Sequence, residues 1–410
     1  CNSITLISIL LHSLPSLLSP RLHFPFLPSF LVPWGSLPSL SSFPSNERHP
    51  GPAPFQGHRG MVEAMTSSQQ TDTDRLPVSG EIVRGHNNDY SLGDVLGDGG
   101  YGTVFSCTIL GRHLAVKVEK YSKSMLFVEA SVLKAANQRR LKHFCTMVDG
   151  GSLNKEYVFI VMTLLGKDLH RLRAEQVDRK FSLSTGLRIA IQTLEAIKEL
   201  HEALFLSRDI KPGNFAPGHR LNTQHKTIFM FDFGLARRYV DKNNNLHAPR
   251  GEVGWRGTTR YGSLVAHSRQ DLARRDDVES WYYLLVEVTK GCLPWRLVTD
   301  RTAVQQAKMR ARKEERASFL SGCPPCFDEI LADIDSLTFY DTPRYDQYIQ
   351  SLEKVCSEKG IRMNEHWDWE DESSVRHTSN TNGECSARSE DRDKHVSQNV
   401  QGRGISRDLP

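Results

Sequence analysis

Two short polar stretches, residues 207–214 and 232–234, decide how this chain is interpreted. The first reads Ser207-Arg208-Asp209-Ile210-Lys211-Pro212-Gly213-Asn214, and the second reads Asp232-Phe233-Gly234. The first follows an amphipathic helix predicted to end near Phe205, and the second follows the apolar run 228–231, which is typical of a buried strand. Each stretch therefore begins where a regular element ends, so that polar side chains from both can converge.

The side chains of Asp209, Lys211, Asn214 and Asp232 have the chemistry that phosphoryl transfer requires. That reaction needs hard oxygen ligands for Mg²⁺, a carboxylate at the attacking hydroxyl and a cation for the developing charge. Asn214 and Asp232 would supply the ligands, Asp209 the carboxylate and Lys211 the cation. Either stretch alone could be a polar turn or an aspartate at a strand end. The catalytic interpretation is favoured because both stretches follow, in this order along the chain, a glycine-rich segment and Lys117.

A glycine-rich segment, Leu96-Gly97-Asp98-Gly99-Gly100-Tyr101-Gly102-Thr103-Val104, precedes both stretches. A Rossmann or Walker loop runs from a strand into a helix, and a Walker loop also carries a lysine after its last glycine. Here the loop runs into residues 103–110, which are rich in β-branched and aromatic residues and predict a strand. A dinucleotide-binding oxidoreductase is therefore disfavoured. Taken alone, the loop fits a phosphate lid and an ordinary hairpin equally well.

Lys117 lies in a segment, residues 113–119, whose strict alternation predicts a strand. Leu114, Val116 and Val118 would face one side, and Lys117 would share the other side with Ala115. An edge-strand lysine in solvent is the usual interpretation of such a residue. Glu129 favours another one, because it interrupts the apolar stripe of a predicted helix over residues 125–137, and a buried carboxylate needs a cation. We therefore predict an ion pair that holds Lys117 toward phosphate oxygens.

The core region, from residue 90 to about 360, changes character along its length. Its first part reads as strands, including residues 103–110, 113–119 and 157–162. Its second part reads as helices, with apolar residues at steps of three and four around positions 187–197 and 281–288. The predicted fold class is α+β, with a small β-rich N-lobe over residues 90–162 and a larger helical C-lobe over 163–360.

These motifs, in this order, resemble the eukaryotic protein kinase domain over residues 90 to about 360, so a bilobal protein-kinase-like fold is expected. The usual Ala-Pro-Glu of the activation segment is missing. Instead the chain has Arg-Gly-Thr-Thr-Arg-Tyr-Gly-Ser at 256–263, Arg-Asp-Asp-Val-Glu-Ser at 275–280 and Leu-Pro-Trp at 293–295. This pattern resembles the casein kinase 1 superfamily. Within it, residues 256–258, 294–296 and 340–343 look most like the tau-tubulin kinase branch.

The resemblance implies a serine/threonine protein kinase that uses ATP and Mg²⁺. The catalytic residues would be Asp209, the base, with Lys211 and Asn214, and the metal ligands would be Asn214 and Asp232. Asp277 would be a buried anchor for the catalytic loop, and residues 163–165 would form the hinge that reads the adenine edge. The ATP-binding residues would be Leu96, Gly97, Gly99, Gly102, Val104, Ala115, Lys117, Glu129, Met162 (the gatekeeper) and Leu165.

Two departures from the family pattern stand out. Ser207 occupies a position where the family usually has histidine, a structural link between the catalytic loop and the Asp-Phe-Gly turn. This departure keeps a catalytically weak pseudokinase, acting as a nucleotide-binding scaffold, as the alternative. Casein kinase 1 also uses a basic pocket for primed substrates. Arg208 and Arg260 match two of its positions, but the third falls on Gln306, so a preference for primed, acidic or cytoskeletal protein substrates stays open.

Composition excludes several classes of protein. Hydrophobic residues make up 39% and charged residues 24% of the 410 residues, which rules out collagenous and wholly disordered chains. A net charge of +4 does not indicate nucleic-acid binding. The most apolar run, residues 4–18, is interrupted by His12, Ser13 and Pro15, so no membrane span is predicted. Eight scattered cysteines indicate a reducing compartment, and we expect a monomer in the cytoplasm or nucleus.

The remaining segments receive simpler interpretations. Residues 1–60, rich in Pro, Ser and Leu, would be an extension outside the native protein, which would then start at Met61, or a genuine leader that folds poorly. Residues 61–89 would be a linker, and residues 371–410 a disordered polar tail. Cys323 and Cys326 would lie in a turn and not in a zinc site. Residues 367–370 would pack on the large lobe, and the basic run 308–316 would be a solvated helix face.

Overall fold

The structure is a computed structural model that describes residues 75–100 and 102–370. Within these ranges the chain forms a β-rich N-lobe followed by a helical C-lobe, so the predicted α+β fold is confirmed. The strands are β1 (Ile82–Arg84), β2 (Asp89–Ser91), β3 (Val95–Asp98), β4 (Gly102–Ile109), β5 (Arg112–Lys120), β6 (Met147–Leu153), β7 (Tyr157–Thr163), β8 (Phe205–Leu206), β9 (Phe215–Pro217), β10 (Ile228–Met230) and β11 (Arg237–Arg238). The predictions for residues 1–60 and 371–410 fall outside the described residues.

The N-lobe is built on a five-stranded antiparallel sheet in the order β3-β4-β5-β7-β6. The alternation predicted for β5 is present. Leu114, Val116 and Val118 belong to a cluster on one face of the sheet, and Ala115 joins the larger core on the other face. Helix α1 (Leu126–Gln138) contributes Val132 to that larger core. The face of β5 that carries Lys117 is thus turned toward α1 and the C-lobe.

A short hairpin of β1 and β2 precedes the sheet. The sequence analysis placed most of these residues in a linker. They form a hairpin because the carboxylate of Asp149 on β6 fixes the turn between the two strands. Asp149 accepts hydrogen bonds from the backbone N–H of His86 at 3.0 Å and Asn87 at 2.9 Å, and from the Tyr90 hydroxyl at 3.0 Å. Burial raises the pKa of Asp149, but these donors, together with the N–H of Gly150, outweigh it and hold the pKa below the ordinary value of an aspartate.

We expect Asp149→Asn to lower the free energy of unfolding at pH 7 by about 2 kcal/mol, because the amide offers one acceptor oxygen where the carboxylate offers two. Since the folded-state pKa is depressed, the wild-type carboxylate contributes stability above about pH 4 and loses it as the pH falls through that pKa. The difference from the variant should therefore shrink in acid. Urea denaturation followed by tryptophan fluorescence measures it, with the exposed Asp94→Asn as the control. Equal stability at pH 7 would contradict the assigned role of Asp149.

The C-lobe is organised around two long helices. Trp281 and Leu284 of α5 (Arg274–Lys290) and Leu187 and Leu194 of α3 (Leu183–Glu202) are fully buried, as the steps of three and four residues predicted. The Ser182 hydroxyl accepts from the N–H of Thr185 and caps α3. The helices are α2 (Leu169–Glu175), α3 (Leu183–Glu202), α4 (Leu264–His267), α5 (Arg274–Lys290), α6 (Arg301–Arg310), α7 (Arg316–Leu320), α8 (Cys326–Ser336) and α9 (Tyr345–Glu358).

The C-lobe extends ten residues beyond its predicted end at residue 360. Trp367 is buried under the guanidinium of Arg188, which lies 4.2 Å from the ring centroid, and it stacks on Trp369. The carboxylate of Asp368 accepts hydrogen bonds from the Ser182 and Thr185 hydroxyls at the start of α3. The prediction that residues 367–370 pack on the large lobe is confirmed.

The basic run at 308–316 lies on the solvated face that was predicted at Arg310 and Lys313, which are exposed, but not at Lys308. Lys308 is fully buried, and its ammonium donates to the carbonyls of Thr259 at 2.9 Å and Gly262 at 2.6 Å. Those carbonyls lie more than 40 residues upstream, in the segment between β11 and α4. Lys308, on the helix over residues 301–310, therefore fixes the position of this segment.

Two features, a membrane-spanning helix and a metal-binding cluster, are not found among the described residues. None of the helices within residues 75–370 combines the length and apolar character needed to cross a bilayer. In the same part of the chain, no group of three or more His, Cys, Asp or Glu side chains is arranged to hold a metal ion. Cys323 and Cys326 are free thiols, and Cys326 is the first residue of α8.

Candidate active site

The glycine-rich segment connects β3 to β4, so the predicted strand–loop–strand arrangement is present. Gly99 and Gly102 exchange backbone hydrogen bonds of 3.0 and 3.3 Å across the turn. A Cβ atom at Gly102 would lie 1.9 Å from the carbonyl oxygen of Val118, so the close approach of β4 to β5 requires glycine there. Leu96 and Gly97 lie on β3, and Val104 on β4 pairs with Lys117 on β5. The loop thus lies directly beside the strand that carries Lys117.

Lys117 is bound by a group of carboxylates. Its Nζ donates to Glu129 of α1 at 2.7 Å and to Asp232 at 3.3 Å, and it lies 3.7 Å from Glu119 on its own strand. Burial disfavours the charged ammonium, but Glu129 and Asp232 outweigh this effect and raise the pKa of Lys117. The structure therefore contains the predicted ion pair, with Lys117 as a fixed cation.

Glu119 was missed in the sequence analysis, although alternation places it on the same face of β5 as Lys117. It is buried, and its Oε2 accepts from the N–H of Met125 at 2.8 Å and from the Ser124 hydroxyl at 3.0 Å. These residues immediately precede α1. Glu119 thus ties the strand of Lys117 to the start of the helix that supplies Glu129.

The predicted adenine pocket lies along β5 and β7. Ala115 pairs with Met162 across the two strands, and both side chains are buried in the core below the sheet. Thr163 is the last residue of β7, and the connection to α2 follows it. Leu165, on that connection, forms an isolated bridge with Gly218 of the C-lobe. The residues predicted to contact adenine therefore line the junction between the lobes.

In the catalytic loop Asp209 makes two close side-chain contacts. Lys211 Nζ donates to Asp209 Oδ2 at 2.7 Å, and the Thr258 hydroxyl donates to Oδ1 at 2.8 Å. Burial lowers the pKa of Lys211, but Asp209 and Asp232 outweigh it, so the pKa is raised and the ammonium persists. Thr258 had no predicted role, because 49 residues separate it from Asp209.

Asp277 holds the backbone of the catalytic loop, as the family resemblance implied. Its carboxylate accepts from the N–H of Ser207 at 2.7 Å and of Arg208 at 2.8 Å. It also lies 2.9 Å from Nε2 of His201, whose Nδ1 is 2.6 Å from the Tyr345 hydroxyl. His201 lies in the last turn of α3 and was not named in the sequence analysis. Asp277, His201, Ser207 and Tyr345 are buried, so the carboxylate can orient the loop rigidly.

Asn214 and Asp232 have the chemistry of a metal site. Asn214 uses its amide nitrogen to donate to the Asp209 carbonyl at 2.9 Å, which leaves the amide oxygen as the atom that would bind a cation. The Asp232 side chain is 48% exposed, and Lys117 lowers the pKa of its carboxyl. One carboxylate and one amide oxygen, completed by phosphate and water oxygens, suit a hard divalent cation. The two residues therefore fit the metal that the fold implies.

The four side chains on which the interpretation depends come together. Asp232 contacts Lys117, and Asn214 Nδ2 lies 2.9 Å from the carbonyl of Asp209 and 3.4 Å from its Oδ2. The N–H of Phe231 donates to the Asn214 carbonyl at 3.0 Å and joins the two polar stretches. These contacts place two carboxylates, an amide and an ammonium around one region.

The two arginines that the resemblance assigned to a pocket for primed substrates have different surroundings. Arg260 donates to the Arg296 carbonyl and lies 3.6 Å from Glu287, whereas Arg208 Nε donates to the Leu235 carbonyl at 2.8 Å. Burial, followed by the cationic neighbours Arg256, Arg237 and Arg250, lowers the pKa of Arg208 to about 10. Asp271 binds Arg237 and Arg250. A cluster of arginines, partly neutralised by the carboxylate of Asp271, therefore lies beside the catalytic loop.

Comparison with known proteins agrees with this geometry. A probable serine/threonine-protein kinase of Dictyostelium discoideum is 34% identical over 298 residues, which cover 71% of this chain and 58% of that protein. The serine/threonine-protein kinase spe-6 of Caenorhabditis elegans is 33% identical over 315 residues, which cover 74% of this chain and 82% of that protein. Residues 90–339 match the protein kinase domain, a family that uses ATP and a divalent metal. The chain therefore belongs to the protein kinase family.

Proposed function

We propose that the chain is an active serine/threonine protein kinase of the casein kinase 1 superfamily, on its tau-tubulin kinase-like branch. The observation that carries the proposal is the convergence of Lys117, Asp209, Asn214 and Asp232 described above. The branch assignment rests on the residues at 256–258, 294–296 and 340–343. The names of the two relatives support serine and threonine as acceptors.

Each residue receives a separate task in this proposal. Asp209 accepts a hydrogen bond from the substrate hydroxyl and then its proton, while Lys211 and Thr258 hold the carboxylate in one orientation. Lys117, positioned by Glu129, binds phosphate oxygens of ATP. Asn214 and Asp232 would hold Mg²⁺, which neutralises phosphate charge when it is bound. Most of the rate acceleration comes from positioning and charge, because this chemistry asks for little else from the protein.

The substrates we propose are protein segments with acidic or phosphorylated residues near the acceptor hydroxyl. The support is the group of arginines around Arg208, in which the carboxylate of Asp271 is shared by Arg237 and Arg250. A positive region of this kind attracts anionic segments and raises the rate of association. We also propose a reducing compartment, the cytoplasm or nucleus, since the cysteines of the described residues are free thiols.

The proposal is tested by phosphate transfer from radiolabelled ATP to casein and to tubulin by the purified full-length chain with Mg²⁺. We expect Mg²⁺-dependent labelling, with phosphoserine and phosphothreonine but no phosphotyrosine after acid hydrolysis of the product. A separate measurement of ATP binding distinguishes an active kinase from a nucleotide-binding scaffold. Binding of ATP without any transfer would overturn the proposal in favour of the nucleotide-binding scaffold, and labelled tyrosine would overturn the acceptor assignment alone.

A further inference from the structure

The Asp-Phe-Gly turn needs support from surrounding residues. Asp232 has a φ of +63°, which is in the left-handed region that non-glycine residues adopt at a cost. Its carboxylate must still reach the region shared with Lys117. A residue in such a conformation persists only where the neighbouring structure determines it. The side chains that contact the turn therefore decide how often the site is assembled.

The catalytic loop provides little of this support through residue 207. Among the residues that the structure describes, Ser207 Oγ has one hydrogen-bond partner, the N–H of Asp209, at a long 3.4 Å. The Ser207 side chain also has no ring that could stack on Phe233. From this loop, the contact to the residues just after the turn is made instead by Arg208, which donates to the Leu235 carbonyl.

A second segment, His143-Phe144, contacts the turn from the other side. The rings of Phe144 and Phe233 stack with centroids 5.5 Å apart and an interplanar angle of 18°. Both side chains are buried, with 3% and 1% of their surface exposed. Stacked aromatic pairs contribute more than their buried area alone. Phe144 therefore restrains the ring of Phe233, the residue that follows Asp232.

The His143-Phe144 segment is itself fixed on two sides. His143 Nδ1 lies 2.7 Å from the Ile228 carbonyl, and the His143 carbonyl accepts from the N–H of Met230 at 2.9 Å. Both partners belong to β10, the strand that leads to Asp232. On the other side, the His143 N–H donates to Glu199 at 3.0 Å, and Nε2 lies 3.1 Å from Glu195. Since both glutamates lie on α3, the segment connects the central helix of the C-lobe to the Asp-Phe-Gly turn.

We propose that Phe144 is the positioning residue that holds the Asp-Phe-Gly turn in its assembled conformation, a task that Ser207 does not perform. His143 anchors Phe144, and the stack on Phe233 transmits that anchoring to Asp232. The inference rests on the proposed kinase activity. It concerns how much of the time the site is assembled and leaves the chemistry of Asp209 unchanged.

The test combines Phe144→Leu with Ser207→His in the full-length chain. We expect Phe144→Leu to lower kcat about 10-fold, the scale set by loss of one aromatic pair. Ser207→His alone supplies the reference rate for the double variant. In the double variant we expect an imidazole from the catalytic loop to replace the lost support, so that kcat returns to within about threefold of wild type. Such non-additivity indicates that the two positions share one task.

Thermal stability separates this role from simple packing. Phe159→Leu is the matched control, because Phe159 is equally buried and pairs with Tyr157 on the outer face of the N-lobe sheet. It should lower Tm as Phe144→Leu does, while kcat stays near wild type. Phe144→Tyr keeps the ring and should keep activity; if Phe144→Leu does not fold, Phe144→Met takes its place. An active wild type with no rescue by Ser207→His overturns the inference, whereas an inactive wild type overturns the proposed function.

Discussion

Asp209→Asn is expected to lower kcat by at least about 100-fold, while the affinity for ATP stays within about threefold of wild type. Removing a group that accepts a proton in the transition state has effects of this size. The amide cannot accept the proton, but it preserves the shape of the side chain and can still contact Lys211 and Thr258. Nucleotide affinity should survive because the side-chain partners of Asp209 among the described residues are Lys211, Thr258 and Asn214, none of which belongs to the glycine-rich loop.

Steady-state kinetics with labelled ATP, together with nucleotide binding measured by fluorescence titration, checks both halves of this expectation. Asp94→Asn is the control, since Asp94 is exposed on the N-lobe and the same chemical change there should leave kcat unaltered. Turnover at the wild-type rate by the Asp209 variant would remove Asp209 from the reaction. A large loss of nucleotide affinity would instead assign it to ATP binding.

Lys117→Met is expected to lower kcat/KM by at least about 100-fold, with weaker binding of ATP. The variant removes the cation that would contact phosphate oxygens, and it leaves the buried carboxylate of Glu129 without its partner. An unpaired buried charge destabilises a protein strongly, so part of the loss could come from unfolding. Activity must therefore be compared at equal folded fraction.

A second variant separates the two effects. Lys117→Met with Glu129→Gln removes the stranded charge, so Tm should recover while kcat/KM remains low. Lys123→Met serves as the control, because Lys123 is exposed in the turn that follows the same strand. Recovery of activity together with stability in the double variant would show that Lys117 is structural and does not act on ATP.

The sequence predicted those parts of the fold that depend on local patterns. Strand β5 and helix α1 were found because alternation and three-to-four spacing depend on which face of each element is buried. The pairing of Lys117 with Glu129 followed from a general cost, since a carboxylate in an apolar stripe needs a cation. Helix α3 was predicted from its three-to-four spacing and strand β10 from its apolar run, and both lead into the polar stretches of the site.

What the sequence could not predict are contacts made between distant segments. Asp149 fixes a hairpin more than 60 residues away, and His201 looks like the end of a core helix until Asp277 and Tyr345 are placed beside it. Lys308 was assigned to solvent because charged residues surround it in sequence. Its acceptors are backbone carbonyls, which have no signature in a sequence.

The contacts at both ends of the domain bear on how fragments of this protein should be cut for expression. The family match covers residues 90–339, but a fragment with those limits would lack β1, which pairs with β2, and would leave donor groups missing around Asp149. It would also lose the Tyr345 hydroxyl beside His201 and the ring that covers Arg188. A recombinant piece spanning at least residues 75–370 keeps these contacts, whereas the shorter one would expose apolar surface and tend to precipitate.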